Sequence, residues 1–130
     1  MYHYTAYSKL VKIDIEIPFL TELNSVKPPF DVSIERKINL KNKFDNFNIL
    51  NTNFGLIHRP GIGFFYIKKS GNIYYDFDGK PSINDLLRVI LNQCMAYFFF
   101  QRGKMSLHAS CITKNNDAYI ISGPSGSGKS

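Results

Sequence analysis

The 130-residue sequence predicts an α/β protein with a β-rich N-terminal half, one long helix, and two further strands that lead into a glycine-rich loop. Three observations support this fold class. Apolar and polar residues alternate in several segments before residue 80, apolar residues follow helical spacing after Ser82, and the last eight residues are GPSGSGKS. We therefore expect a β-rich region over residues 1–80 and a second region over residues 81–130.

The first strands are predicted from alternation. In KLVKIDIEIPFL the apolar residues at odd positions from 11 to 17 fall on one face, and Pro18 stops the strand. Residues 2–7 are a candidate partner strand, and FDVSIERKINL supplies another strand. The Asn-rich segment KNKFDNFNILNTN is predicted as a loop that contains at most a short strand.

The segment GFFYIKKSGNIYYDF predicts a hairpin, because Ser70, Gly71 and Asn72 suit the positive φ angles of a tight turn. Its aromatic residues could stack nucleic-acid bases, but a packed hairpin face explains them more simply. Two fragments of kinase signatures are interpreted as connections. YDFDGKPS predicts a turn at Asp78 and Gly79, and HRPG, residues 58–61, predicts a loop.

The hydrophobic period changes at Ser82. In SINDLLRVILNQCMAYFFFQRG, Ser82 is a helix cap, the apolar residues have helical spacing, and no Gly or Pro occurs between Ser82 and Gly103. This pattern predicts a long, deeply packed helix that Gly103 closes. Its most hydrophobic run, residues 89–100, is interrupted by Asn92 and Gln93 and is too short to span a bilayer.

Two strands, MSLHASCI and AYIIS, are predicted after the helix, and the second runs directly into GPSGSGKS. A buried strand followed by GxxxxGK[ST] is the context of a phosphate-binding loop. Backbone N–H groups of residues 125–130 can surround a β-phosphate, and glycines at Gly126 and Gly128 let the chain approach it closely. Lys129 would neutralise the β/γ oxygens, and the Ser130 hydroxyl would ligate Mg²⁺. The pattern alone does not separate kinases, transporter ATPases and GTPases.

The amino-acid composition further limits the class of protein to which this chain can belong. With 44% hydrophobic residues the chain can build a core, which excludes a disordered polypeptide. The net charge of +6 suggests affinity for anions, but we interpret the densest basic cluster, residues 36–43, as a solvated face rather than a nucleic-acid site. Cys94 and Cys111 are too few for a disulfide framework or a zinc site and are predicted to be buried. No signal peptide is apparent, so a cytoplasmic location is expected.

His108, in the segment LHAS, is the second candidate for chemistry. It is predicted on the strand beside the loop's own strand, where it could approach the terminal phosphate. A buried structural histidine is the alternative interpretation.

With the loop and LHAS in view, the chain resembles the N-terminal portion of an HPr kinase-like P-loop protein, a family that contains HPr kinase/phosphorylase and its smaller relatives. The specific part of the resemblance is the combination of Arg-Gly at 102–103, Leu-His-Ala-Ser at 107–110, and GPSGSGKS. IDIEIPFLTEL and GIGFFYIKKSGNIYY resemble the family more loosely. The second region would then be the helix and the start of a P-loop kinase domain.

The resemblance implies a phosphotransferase that moves the γ-phosphoryl group of MgATP to a hydroxyl of a protein, a peptide or free serine. It places His108 near the transferred phosphate, as the catalytic candidate. The residues that it implies for nucleotide binding, with Ser130 also at the metal ion, are Gly123, Ser125, Gly126, Ser127, Gly128, Lys129 and Ser130. Expected partners are the nucleotide and the phosphate acceptor. Neither a membrane nor a nucleic acid is expected, and a homo-oligomer is compatible with the resemblance.

Two departures from the family pattern matter. HPr kinase/phosphorylase has a different N-terminal domain and a Gly where Ala109 follows the histidine, so the chain is closer to the smaller relatives. No Asp or Glu follows the loop to hold Mg²⁺ or accept the hydroxyl proton. We therefore expect a truncated kinase that is inactive as it stands, with an apolar strand edge at AYIIS.

Two alternatives remain open. ABC-transporter ATPases share the loop's spelling, but they usually carry a Gly-Glu pair before the loop's strand, where NNDA stands here. A non-catalytic nucleotide-binding or recognition module is the other alternative.

Overall fold

A computed structural model describes residues 1–128. In this part of the chain, a mixed seven-stranded sheet packs against one long helix, and a two-stranded hairpin follows. In chain order the strands are β1 (Tyr2–Ala6), β2 (Lys9–Ile13), β3 (Val32–Arg36), β4 (Ile49–Leu50), β5 (Phe54–Arg59), β6 (Gly63–Lys68), β7 (Asn72–Phe77), β8 (Ser110–Lys114) and β9 (Asp117–Ile121). The architecture is mixed α/β and strand-rich with one long helix, as the sequence predicts.

The order of strands in the large sheet is β1-β2-β3-β7-β6-β5-β4. Strand β3 pairs in parallel with both β2 and β7, and the other pairs are antiparallel. The predicted hairpin forms as β6 and β7, and Gly71 in its turn has φ 99°. The N-terminal partner strand also forms as predicted, as β1.

The long helix consists of α1 (Ile83–Arg88), a π-helical segment (Val89–Cys94) and α2 (Met95–Phe100) in unbroken succession. The Ser82 hydroxyl accepts a hydrogen bond from the Asp85 N–H at 3.1 Å, which confirms the predicted cap. At the other end Gly103 has φ 73°, and its N–H donates to the Phe100 carbonyl. Only a residue that tolerates this conformation ends the helix there without strain.

One hydrophobic core lies between the sheet and the helix. Ile13, Ile34 and Phe65 enter it from the sheet, and Ile90 and Phe98 enter it from the helix, each at most 1% exposed. The helix is therefore packed together with the strands of residues 1–80. The predicted domain division between residues 80 and 81 remains a prediction.

Aromatic rings cover the opposite face of the sheet. The Phe44 ring packs against Tyr66 with centroids 4.8 Å apart, and the Phe47 ring packs against Phe64 at 4.9 Å. The Asn-rich segment that was predicted as a loop supplies Phe44 and Phe47. It includes a 3₁₀ turn over Leu40–Lys43 and the short strand β4. The rings of the hairpin are thus mostly engaged in packing.

Two local predictions are wrong. The strand that was predicted to run to Pro18 ends at Ile13. The Asp14 N–H still donates to the Ile34 carbonyl at 3.2 Å, but the next bond from β3, from the Arg36 N–H, goes to the Asp14 carboxylate at 2.6 Å rather than to the backbone. His58 and Arg59 were predicted in a loop, yet they are the last two residues of β5, paired with Phe64 and Gly63. The first outcome depends on a partner distant in sequence, and the second depends on pairing with the next strand, β6.

Strands β8 and β9 form a separate antiparallel hairpin. Cys111 was predicted to be buried and is exposed, because within residues 1–128 this hairpin lies outside the hydrophobic core. The exposed fractions of Ile112, Tyr119 and Ile120 are 56%, 51% and 61%. Strand β9 was expected to be buried and is exposed along its whole length. None of the helices in residues 1–128 has the length and apolarity needed to cross a membrane.

Candidate functional site

The glycine-rich loop begins directly after β9, at Ser122. Gly126 and Gly128 have φ 80° and 82°, and no atom lies within 4 Å of where a side-chain carbon would be added to either. Both positions therefore favour glycine through backbone conformation rather than through lack of space. Ser125, Gly126, Ser127 and Gly128 are exposed. Positive φ at alternate residues is typical of backbone concavities that bind anions.

Gly123 lies close to the side chain of Ser127. A side-chain carbon at Gly123 would lie 2.6 Å from the Ser127 hydroxyl oxygen, which could rotate away. The Ser127 N–H donates to the Pro124 carbonyl at 3.2 Å, which closes a turn over these residues. In this conformation one of the N–H groups predicted to face phosphate is already bonded within the loop.

Lys129 and Ser130, the predicted ligands of the phosphate oxygens and of Mg²⁺, lie outside the described residues. Within residues 1–128, no three His, Cys, Asp or Glu side chains converge in an arrangement that could hold a metal ion.

His108 lies before β8, which begins at Ser110, and not on the strand itself as predicted. Its side chain is exposed, in contrast to the alternative of a buried structural histidine. Together with Ser106, His108 lines a cavity of about 450 Å³ whose other wall includes Asn92 and Phe99 of the long helix. The lining thus includes the amide of Asn92, the hydroxyl of Ser106 and the imidazole of His108, which can form hydrogen bonds with a small polar molecule.

The π-helical segment shapes this wall of the cavity. The Met95 N–H reaches the Ile90 carbonyl five residues earlier, and the Leu91 carbonyl accepts a hydrogen bond from the Tyr7 hydroxyl at 2.9 Å. Such insertions in α-helices are frequent at functional sites. One signal for it is present in the sequence, since Asn92 and Gln93 interrupt an otherwise apolar run, but helical spacing alone did not reveal the inserted residue.

A second polar pair joins the ends of two strands away from the loop. His58 Nε2 lies 2.7 Å from Asp78 Oδ2, and the same oxygen accepts the Gly61 N–H at 3.2 Å. These hydrogen bonds, His58 first, hold the pKa of Asp78 below its ordinary value. His58 also stacks on Phe64 with ring centroids 4.3 Å apart. These hydrogen bonds link the β5–β6 turn to the end of β7, so the pair has a structural role.

Comparison with models of protein families, with curated protein sequences and with solved structures found no match to this chain.

Proposed function

We propose that this chain carries the phosphate-binding loop of an HPr kinase-like P-loop kinase, which transfers the γ-phosphoryl group of ATP to a serine or other hydroxyl acceptor. The observation that carries the proposal is the succession of β9 and the sequence GPSGSGKS, with Gly126 and Gly128 in the left-handed conformation. A strand that leads into this loop, and glycines in the left-handed conformation within it, support a phosphate-binding loop, although β9 is exposed rather than buried.

Phosphoryl transfer of this kind depends on positioning and on neutralisation of charge. The exposed backbone of residues 125–128 would bind the phosphate oxygens, Lys129 would offset their charge, and Ser130 would ligate Mg²⁺. Mg²⁺ supplies further neutralisation when it is bound. Because the Ser127 N–H donates to the Pro124 carbonyl, this hydrogen bond has to open before that N–H can bind phosphate.

His108 is the proposed polar group near the transferred phosphate. Its exposure and its position at the rim of the cavity leave the imidazole free to contact an acceptor hydroxyl. The acceptor would be a serine of a protein, a serine of a peptide, or free serine. Among these the cavity of about 450 Å³ has room for a single side chain or a free amino acid.

The test uses the protein with all residues that its reading frame encodes after Ser130. Transfer from γ-labelled MgATP is measured to free serine, to serine peptides and to casein as a general protein acceptor, beside equilibrium nucleotide binding. We expect Lys129→Ala to lower nucleotide binding and transfer by about 100-fold or more. Lys114→Ala, which removes an exposed lysine from β8, is the matched control and leaves both unchanged.

His108→Ala is expected to lower transfer while nucleotide binding persists. ATP hydrolysis without any phosphorylated acceptor would favour the ATPase alternative, and nucleotide binding without turnover would favour the recognition module. No nucleotide binding by the unaltered protein would overturn the proposal.

A further inference from the structure

A second cavity opens between the end of β5 and the long helix, away from the phosphate loop. Its volume is about 470 Å³, within the range of about 300–1,000 Å³ that is usual for small-molecule sites. Most of its lining is apolar, from Leu50, Ile57, Tyr97 and Phe100, and the polar groups in its wall come from Arg59 and Gln93.

Arg59 is held in this wall by two hydrogen bonds. Its Nε donates to the Gln93 side-chain oxygen at 2.6 Å, and its Nη1 donates to the His58 carbonyl at 3.1 Å. Gln93 belongs to the π-helical segment, so the inserted residue in the helix helps to orient the guanidinium. The Arg59 side chain is therefore fixed in place before any ligand arrives.

The positive charge of Arg59 is not neutralised within residues 1–128. No carboxylate in that part of the chain lies within 4.0 Å of its guanidinium, and Nη2 has no hydrogen-bond acceptor there. By contrast, Arg36 pairs with Asp76 at 3.3 Å and Arg88 with Asp85 at 3.5 Å. Arg59 is half-buried and has a donor that is free to bind an anion. A carboxylate suits this position, because its two oxygens match the geometry of the guanidinium N–H groups.

The apolar side of the cavity is exposed to solvent. Phe100 is 51% exposed and Leu50 is 57% exposed. The Phe100 ring stacks on the Tyr97 ring with centroids 5.4 Å apart, so the Tyr97 ring helps to hold the exposed Phe100 ring in place. An apolar chain or ring that covered this surface would remove it from water and gain free energy in proportion to the area buried.

We propose that this cavity binds a small amphipathic carboxylate, with the carboxylate at Arg59 Nη2 and an alkyl or aryl group against Tyr97 and Phe100. The site is built by β5 and the helix and does not include residues 122–130. It is therefore a ligand site separate from the proposed nucleotide site, and the failure of either leaves the other intact.

A third cavity provides an internal comparison. It has a volume of about 440 Å³ and is lined by Arg88 and Phe19 among others, so it also combines an arginine with apolar side chains. There, however, the Asp85 carboxylate lies 3.5 Å from Arg88 and would repel a bound anion. Arg88→Met is therefore the matched control for Arg59→Met, with the same change in net charge.

The experiment measures binding of decanoate, decanol and decyltrimethylammonium to the unaltered chain and to both variants by isothermal titration calorimetry. We expect decanoate to bind at least about tenfold more tightly than decanol, since a charged hydrogen bond is made only by the carboxylate. Arg59→Met should weaken decanoate binding by about tenfold or more and leave decanol unchanged. Arg88→Met should change neither by more than about twofold.

Equal affinity for decanoate and decanol, or loss of decanoate binding in Arg88→Met but not in Arg59→Met, would overturn the proposal. Far-UV circular dichroism and the melting temperature show whether Arg59→Met stays folded. If Arg59→Met is unfolded, it is replaced by Arg59→Lys, which keeps the charge. The difference between the affinities of the unaltered chain for decanoate and for decanol then decides whether the proposal holds. Ring-current shifts of the decanoate methylene resonances, caused by the rings of Tyr97 and Phe100 and measured by NMR, place the ligand.

Discussion

Residues 1–103 and residues 104–128 form secondary structure in different ways. In the first part, strands and helix bury a shared core in which Ile13, Ile34 and Ile90 have no exposed area. In the second part, β8 and β9 pair only with each other, and β9 is exposed throughout. An isolated two-stranded hairpin is at best marginally stable in water. Folding stability is therefore concentrated in the first part, whereas the loop that we propose to bind phosphate belongs to the second part.

The comparison is tested most strongly by removing one large apolar side chain from each part. Phe65 is fully buried in β6, and Phe65→Ala should lower the free energy of unfolding by about 3–5 kcal/mol through lost burial and a residual cavity. The Ile120 side chain is 61% exposed in β9, so Ile120→Ala should lower the free energy of unfolding by less than about 0.5 kcal/mol. Urea unfolding followed by circular dichroism measures both. A loss above about 1 kcal/mol for Ile120→Ala would mean that the hairpin is packed.

Glycines in the two parts give the next largest effect. Gly71 has φ 99°, and an added side-chain carbon would lie 2.4 Å from the Asp31 carbonyl oxygen. Gly71→Ala therefore combines left-handed strain with a backbone clash and should destabilise by about 2–4 kcal/mol. Gly126 has φ 80°, and no atom lies within 4 Å of where a side-chain carbon would be added. Gly126→Ala should therefore leave the free energy of global unfolding unchanged, because the loop can relax. Thermal melts of the two variants distinguish these outcomes, and similar losses in both would contradict the division.

A smaller effect is expected at the helix cap. Ser82→Ala removes the acceptor of the Asp85 N–H and the donor to the Asp85 carboxylate, and it should cost about 1 kcal/mol. Ser82→Asn keeps an acceptor and a donor and should cost less. In the hairpin turn, Asn116 has φ 65°, and Asn116→Ala should disturb the turn without changing global unfolding. Chemical unfolding of the three variants checks the order, which would be wrong if Ser82→Asn were as unstable as Ser82→Ala.

The smallest effect concerns acid pH. The Leu10 N–H, 2.8 Å from the Asp31 carboxylate, together with Lys9 at 3.5 Å, lowers the pKa of Asp31. Because the folded pKa is below the unfolded value of about 3.9, this stabilisation is present above that pH and is lost as the pH falls through the folded pKa. Asp31→Asn should therefore be less stable than the unaltered chain at pH 7 and equally stable near pH 2.

The size of that difference is limited by solvent screening, because the Asp31 side chain is 44% exposed. Urea midpoints measured from pH 2 to pH 7 give the curve for each chain. Asp117→Asn in the hairpin is the control, and its midpoints should follow the unaltered chain at every pH. A difference for Asp31→Asn that does not shrink in acid would contradict the assignment.

Local signals in the sequence predicted much of the fold. The hairpin turn, the cap at Ser82 and the stop at Gly103 depend on residues close in sequence, and all three form. In the turn, however, only Gly71 has the positive φ that was predicted for Ser70, Gly71 and Asn72. The parallel pairing of β3 with β2 and β7 was not predicted, because alternation shows which face of a strand is apolar but not which strand lies beside it.

The candidate sites follow the same division between local and long-range information. Gly126 and Gly128 have positive φ, a conformation that glycine adopts without strain and that depends on the loop alone. The exposure of Cys111 and of β9 could not be predicted, because apolar composition does not reveal whether a covering element is present. The position of Arg59 was missed because a Pro-Gly turn follows it directly, and its partner Gln93 is brought near only by the fold.

The central position of β7 has a consequence for the order in which the protein is synthesised. Strand β7 pairs with β3 on one side and with β6 on the other, although β3 leaves the ribosome long before it. Until residues 72–77 have emerged, the edge of β3 that later pairs with β7 is open. Val32 and Ile34 are also not yet buried, because the helix that shares their core is synthesised later still. Contacts between residues distant in sequence form slowly, because the intervening chain must first be ordered. During translation the N-terminal strands are thus available to chaperones and to self-association until β7 has been synthesised.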